Sequence, residues 1–264
     1  MEIIVLASGS KGNATYIQTK TTKILIDAGI SYLQLKNRLA TKGISLKELD
    51  AIVLTHEHTD HIKHLSSIAT KTSAKIYMSK ITYPEANRRQ SGALTNLDIA
   101  FIEPNMKYQI GNLNVVPIRL SHDVENCFGY LFKEEGSKNI TYGYITDTGY
   151  IPDEYLSIIA NLQVISIESN HDVKMLKESN RAWPLIQRIL SKNGHLSNVQ
   201  CCEYLMKFNY KFVKTLILSH ISEECNTEEI AIKEIKNTFN DKLPCNILIA
   251  KQNEALDIIE VKDV

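Results

Sequence analysis

Residues 55–61, Thr-His-Glu-His-Thr-Asp-His, put four metal-binding side chains, His56, His58, Asp60 and His61, within six residues. They stand directly behind the apolar run Ala51-Ile52-Val53-Leu54. No other stretch constrains the fold as strongly. An apolar run of this kind reads as a buried strand. Alternate side chains of its extended tail share a face, so His56 and His58 can converge on one ion. Asp60 and His61 follow where the chain should turn into a helix, and can serve a second ion beside the first. Imidazole and carboxylate donors together suit zinc, manganese or iron, and two such ions side by side are a hydrolytic device. Histidine is scarce, 8 in 264 residues, so three in one six-residue window argue against chance clustering.

The remaining pattern predicts a layered α/β sandwich, as one domain over 1–264. Strands are expected at 2–7, 14–19, 23–27 and 51–55, with a helix over 31–42 that Ser31 caps. A helix from about 61, strand 75–79 and a helix over 81–91 follow. The middle reads as strands 107–110, 113–119, 127–133 and 139–146. The last third alternates: helix 153–160, strand 162–168, helices near 181–191 and 197–209, strand 214–219, helix 227–239 and strand 246–250. Pro184 lies close to the start of its helix, where proline is tolerated.

Further candidates stand just after predicted strands, where layered α/β proteins usually place their active sites. His122 follows 113–119, Asp147 ends 139–146, and His220 ends 214–219. With the cluster they complete two ligand sets.

These residues give the chain a resemblance to the metallo-β-lactamase superfamily, carried by His56-x-His58-x-Asp60-His61, His122, Asp147 and His220 in the superfamily's order. The resemblance implies a four-layer αββα sandwich with the site at one edge between the sheets. It also implies that His56, His58 and His122 hold one ion, that Asp60, His61 and His220 hold the other, and that Asp147 bridges them. Zinc or manganese fits such a set, with iron possible.

Five segments narrow the resemblance to the YycJ/WalJ-type subfamily of small bacterial hydrolases: 7–13 (Ala-Ser-Gly-Ser-Lys-Gly-Asn), 121–123 (Ser-His-Asp), 146–150 (Thr-Asp-Thr-Gly-Tyr), 168–172 (Glu-Ser-Asn-His-Asp) and 194–198 (Gly-His-Leu-Ser-Asn). His64 departs from it, standing where many members carry glycine, and reads as a helix-surface histidine. The subfamily implies a DNA exonuclease working from the 5′ end, with a water shared between the ions as nucleophile. Its substrate would be single-stranded or end-bearing DNA. The segment from His195 to His220 resembles the matching stretch of the superfamily's tRNA-processing nucleases. By that comparison His195 contacts the scissile phosphate and helps protonate the leaving oxygen, and Glu168 orients it. His195, Glu168 and the ligand Asp60 form the expected catalytic set. Ser8, Ser10, Asn13, His171 and Asn198 are candidate substrate contacts. The glycine-rich loop 8–13 is either an anion cradle or a tight turn into the hairpin.

Lys11, Lys63, Arg88 and Arg89 are candidate phosphate contacts, although the Arg88-Arg89 pair reads more simply as a solvated helix face. Trp183 is read as a core or helix-packing residue in preference to a base-stacking one.

Composition removes several classes. Lys+Arg and Asp+Glu balance at 30 each, so no global basic field announces a nucleic-acid partner. The start Met1-Glu2-Ile3-Ile4-Val5-Leu6 lacks a basic leader, and no segment approaches 18 apolar residues. The five cysteines show neither CxxC nor disulfide-like spacing. Together these predict a cytoplasmic protein with reduced cysteines and no membrane partner. A secreted β-lactamase and a flavin-linked di-iron oxidoreductase are disfavoured. A glyoxalase-like thioester hydrolase shares the metal ligands, and an RNA-processing nuclease and a non-catalytic metal-bound regulator are further alternatives.

Overall fold

The computed structural model describes residues 1–139, 141–240 and 242–263. The expected strand 139–146 therefore includes one position, 140, outside the described residues.

The first half runs β1 (Glu2–Ala7), β2 (Ala14–Gln18), β3 (Lys23–Ile26), α1 (Tyr32–Ala40), β4 (Ala51–Val53), α2 (Thr59–Ile62), α3 (Leu65–Thr72), β5 (Lys75–Met78), α4 (Tyr83–Arg89), a 3-10 turn (Ala93–Asn96) and β6 (Ile99–Phe101). The second half runs β7 (Tyr108–Ile110), β8 (Leu113–Leu120), β9 (Cys127–Glu134), β10 (Thr141–Ile145), α5 (Asp153–Ile159), β11 (Val164–Glu168), α6 (Val173–Glu178), α7 (Trp183–Leu190), α8 (Asn198–Leu205), β12 (Thr215–Ser219), α9 (Glu228–Phe239), β13 (Asn246–Ile249) and β14 (Ile259–Glu260).

Two seven-stranded sheets form, in the orders β14-β1-β2-β3-β4-β5-β6 and β13-β12-β11-β10-β9-β8-β7. Each is an antiparallel meander that becomes parallel: from β3 to β6 in the first sheet, and from β10 to β13 in the second. The sequence shows no repeat, yet the halves are built alike.

The apolar runs explain the layering. In β1, Ile3 and Val5 join Ile24, Ile26, Val53, Phe128, Tyr130, Phe132 and Ile217 between the sheets. Their neighbours Ile4 and Leu6 pack the other way, with Leu35 and Leu39 of α1 and Leu65 and Ile68 of α3. On the second sheet Ile165, Ile167, Leu216 and Leu218 pack against Ile159, Leu205 and Ile235 of α5, α8 and α9. Strands buried on both faces read as near-continuous apolar runs, and helices cover the outer faces. The result is the expected αββα sandwich.

Several local expectations are corrected. The helix expected from about 61 begins at Thr59, and a second helix starts at Leu65 after His64, its half-buried N-cap residue. Helix 197–209 ends at Leu205. β6, β14 and α6 are short and had no periodic signal long enough to read. Trp183, expected to pack, is 62% exposed.

Candidate metal centre

The parallel registers decide where the site forms. β10, β11 and β12 pair so that Ile145 lies beside Ile167, and Glu168 beside Ser219. Asp147, Glu168 and His220 therefore leave one edge of the second sheet together. Leu120 of β8 pairs with Cys127, so the loop holding His122 opens at the same edge. From the first sheet, β4 delivers residues 55–61 towards it.

Two donor groups meet there. His56, His58 and His122 form one, and Asp60, His61 and His220 the other, the donor atoms of each lying within 4.8 Å of one another. The carboxylate of Asp147 meets the second group twice, Oδ2 lying 3.4 Å from His61 Nε2 and Oδ1 3.4 Å from His220 Nε2. Asp147 also groups with His56 and His61. Asp60 Oδ2 lies 3.3 Å from His61 Nε2 and 3.5 Å from His220 Nε2, and His58 Nδ1 lies 3.3 Å from His122 Nε2.

These residues fit cations. His56 Nε2, Asp147 Oδ2 and His220 Nε2 are buried without a hydrogen-bond partner, which is costly unless something else takes their lone pairs. Metal–nitrogen bonds of about 2.0–2.1 Å in a tetrahedron separate donors by about 3.3–3.4 Å, matching the spacing seen.

The other ring nitrogens are anchored. His56 Nδ1 is 3.0 Å from Thr55 Oγ1, His61 Nδ1 is 2.8 Å from Asp27 Oδ2, His122 Nδ1 is 3.1 Å from the Gly194 carbonyl, and His220 Nδ1 is 3.0 Å from Glu168 Oε1. His58 differs: its Nε2 lies 3.5 Å from Asp123 Oδ1, an ion-pair distance without a hydrogen bond. Such contacts fix ring orientation and tautomer, so that one nitrogen of each ring stays available. Sequence reading missed Asp27 and Thr55. Buried Asp27 accepts from the Thr55 N–H at 2.9 Å and from its hydroxyl, a contact no motif spacing reveals.

The charges are balanced within the site. Burial opposes ionisation of Asp60 and Asp147, but His61 and His220 outweigh it and hold both carboxyls well below the usual range. Burial likewise opposes protonation of His61 and His220. The carboxylates outweigh it, Asp60 and Asp147 at His61 and chiefly Asp147 at His220, and both histidines titrate well above their ordinary value. His56 is pushed down by burial and then by His61, and His58 falls to about 4 through burial and then His122.

Glu168 is fully buried and joins two histidines. Its Oε1 is 2.7 Å from His195 Nδ1 and 3.0 Å from His220 Nδ1, while Oε2 accepts from the Thr148 and Leu196 N–H groups. Burial would raise its carboxyl, but His195 first and His220 next bring it down to about 2. The His195 ring lies 4.9 Å from that of His122 and 5.2 Å from that of His220, and its Nε2 is left free of Glu168.

The candidate substrate contacts divide. Ser10 is exposed, whereas Ser8, Asn13, His171 and Asn198 are buried. The Ser8 hydroxyl accepts from the His220 N–H at 2.7 Å. The Asn13 amide donates to Asp60 Oδ2 at 3.0 Å. The amide of Asn198 is engaged with Ser169 and Asn226 inside the fold. His171 keeps an unpartnered, buried Nε2.

In loop 8–13 the backbone N–H groups of Ser8, Gly9, Lys11, Gly12 and Asn13 all donate within the fold, which is the tight-turn alternative and not an open anion cradle. Arg88 and Arg89 both bind Glu85, and Lys11 binds Glu223.

Comparison with known proteins shows the family. The family described as the beta-lactamase superfamily domain matches residues 22–221. The chain is 34% identical over 228 residues to the exodeoxyribonuclease WalJ of Streptococcus pneumoniae serotype 2, covering 86% of this chain and 84% of that one. It is 31% identical over 238 residues to the exodeoxyribonuclease YycJ of Bacillus anthracis, covering 90% and 89%. The solved metallo-β-lactamase fold protein YhfI of Bacillus subtilis superposes with a TM-score of 0.70 at 17% identity, over 97% of this chain and 99% of that one, a likeness of fold. Among the described residues no helix is long and apolar enough to cross a membrane.

Proposed function

This chain belongs to the metallo-β-lactamase superfamily, among its YycJ/WalJ-type members, and on that premise we propose that it is a metal-dependent DNA exonuclease of the cytoplasm, hydrolysing phosphodiesters from the 5′ end. The observation that carries the reading is two donor sets sharing Asp147, with a histidine beside them whose Nδ1 is tied to a buried glutamate. The printed names of the two relatives supply the substrate class.

His56, His58 and His122 would hold one divalent ion and Asp60, His61 and His220 the other, with Asp147 between them. Zinc and manganese suit the donors best, and iron is possible. Such ions supply a nucleophile at neutral pH and neutralise the charge of the attacked phosphate. The chain's own groups do the rest. Glu168 fixes the His195 ring through Nδ1, so that Nε2 can approach the scissile phosphate and give a proton to the leaving 3′ oxygen. Glu168 also carries the negative charge that stabilises His195 once protonated. Ser8 and Asn13 hold His220 and Asp60 in position through hydrogen bonds.

The test is end-labelled single-stranded DNA with a 5′-phosphate, incubated in Mn(II) with the wild type and with Asp60→Ala. A small thioester runs in parallel. Stepwise release of nucleotides by the wild type, absent in the variant, is expected. Intact DNA together with a hydrolysed thioester would move the protein to the glyoxalase-like class.

A further inference from the structure

One part of the rim is unused by the metal chemistry. Helix α7 buries Ile186 and Ile189 against Leu176 and Cys225. Its opposite face, Trp183, Pro184, Gln187 and Arg188, is exposed. Positions 183 and 187, and 184 and 188, are one turn apart and neighbour each other. The five steps from Trp183 to Arg188 span about 7.5 Å along the axis.

One end of this face is tied to the metal centre. Arg188 Nη1 donates to Asp123 Oδ2 at 2.9 Å, and Asp123 Oδ1 lies 3.1 Å from His122 Nε2 and 3.5 Å from His58 Nε2. At the other end Trp183 is 62% exposed, and among the described residues neither its ring nor its N–H has a partner. Tryptophan is usually buried for most of its surface.

We propose that the outward face of α7 is a binding track for single-stranded nucleic acid, with a base stacked on Trp183 and a phosphate against Arg188. The proposal rests on the nuclease reading above and adds how the substrate strand is held. A flat aromatic ring and a guanidinium about 7.5 Å apart along the exposed side of one helix are a pairing that single strands use, since every base has a π-face and every step a phosphate. Arg188 has five N–H donors in its fork and can keep Asp123 while others meet a phosphate. The Arg188 side chain is 57% exposed. Trp183 and Pro184 alone make too little apolar surface for a protein interface. The track is continuous with the loop carrying His122, so a strand lying along it is delivered to the metal centre.

The protein contains a single tryptophan, so its emission reports on this face alone. The zinc-loaded full chain is titrated with a phosphorothioate oligothymidylate that resists hydrolysis. Saturable quenching is expected. In turnover assays Trp183→Ala should raise KM for a 5′-phosphorylated ten-residue oligonucleotide of order 10-fold, the effect of one stacked base. Hydrolysis of bis(p-nitrophenyl) phosphate, which offers no such strand, should be unchanged, and Trp183→Phe should recover most of the loss. DNA degradation with unquenched emission and an unchanged KM in Trp183→Ala overturns the track and leaves the nuclease reading intact. Equal losses on both substrates also overturn it, because the residue then supports the fold. Quenching by an oligonucleotide whose normal-linkage counterpart is not degraded would uphold the track and sink the nuclease reading.

Discussion

Asp27, Asp147 and His220 take left-handed backbone conformations, at φ values of 59°, 58° and 56°. Aspartate and histidine tolerate this region better than most residues, yet each such position costs of order 1–3 kcal/mol unless its surroundings hold it. All three follow strand ends, and all three belong to the donor sets or their anchors. Glu168 is the residue on which two anchors depend. Glu168→Gln keeps the shape but cannot accept from His195, His220 and two backbone N–H groups as a carboxylate does. We expect metal affinity to fall about 10–100-fold, as for other lost anchoring contacts. Turnover at saturating metal should fall further, because His195 loses its partner. His195→Ala should lower turnover while leaving metal content near that of the wild type, read by elemental analysis beside a nuclease assay. Equal loss of metal and activity in His195→Ala would make that histidine structural.

The same residues give a pH signature after chelation. His61 and His220 hold protons in the folded protein above their ordinary value, because the carboxylates outweigh burial. The unfolded chain releases those protons near pH about 6.5. Their contribution to stability is therefore complete below that pH and is lost as pH rises through the raised values. In a chelator, Tm should fall as pH rises above about 6.5, where ordinary carboxylates are already ionised. Added Zn(II) should restore it most at the alkaline end, where fewer protons must be displaced. A Tm that stays flat above that pH in chelator would contradict the charge balance described.

At the scale of elements, the segment from α7 to α8 decides whether the centre stays assembled. A Cβ on Gly194 would lie 2.0 Å from the Ile189 carbonyl oxygen and 2.4 Å from that of Arg188. The Gly194 carbonyl holds His122, and the next residue is His195. Gly194→Ala should thus disturb a metal donor and the proposed proton donor together. We expect a loss of activity of at least 10-fold with a smaller drop in Tm, measured by turnover and thermal melting.

Much of this frame was legible beforehand, because ligand chemistry and apolar runs are local signals. His56, His122, Asp147 and His220 each follow a strand that could be read from its own residues. α6, β6 and β14 were not legible, having two to six residues each and owing their form to neighbours. Asp27 and Thr55 escaped for the same reason, since their role exists only through contacts across space. The expected packing of Trp183 fails because hydrophobicity alone cannot tell which face of a helix is covered.

The whole molecule carries 30 basic and 30 acidic residues, so no long-range field steers a polyanion to it. Locally, three cations are held by carboxylates. Lys11 pairs with Glu223, Arg181 with Glu224 at 2.9 Å, and Arg188 with Asp123. Glu223 and Glu224 follow His220 by three and four residues, and hold cations that a phosphate backbone could use. Each exposed pair is worth only about 0–1 kcal/mol, so a phosphate can displace the carboxylate at little cost. The Glu223→Gln, Glu224→Gln double variant frees Lys11 and Arg181. At low ionic strength it should lower KM for single-stranded DNA about 3- to 10-fold, with kcat unchanged, and should steepen the decline of affinity with salt. By about 1 M salt, where the Debye length is near 3 Å, the variant and the wild type should converge. An unchanged KM at low salt would mean that Lys11 and Arg181 lie off the path of the strand, and that binding is governed by the metal centre and the face of α7.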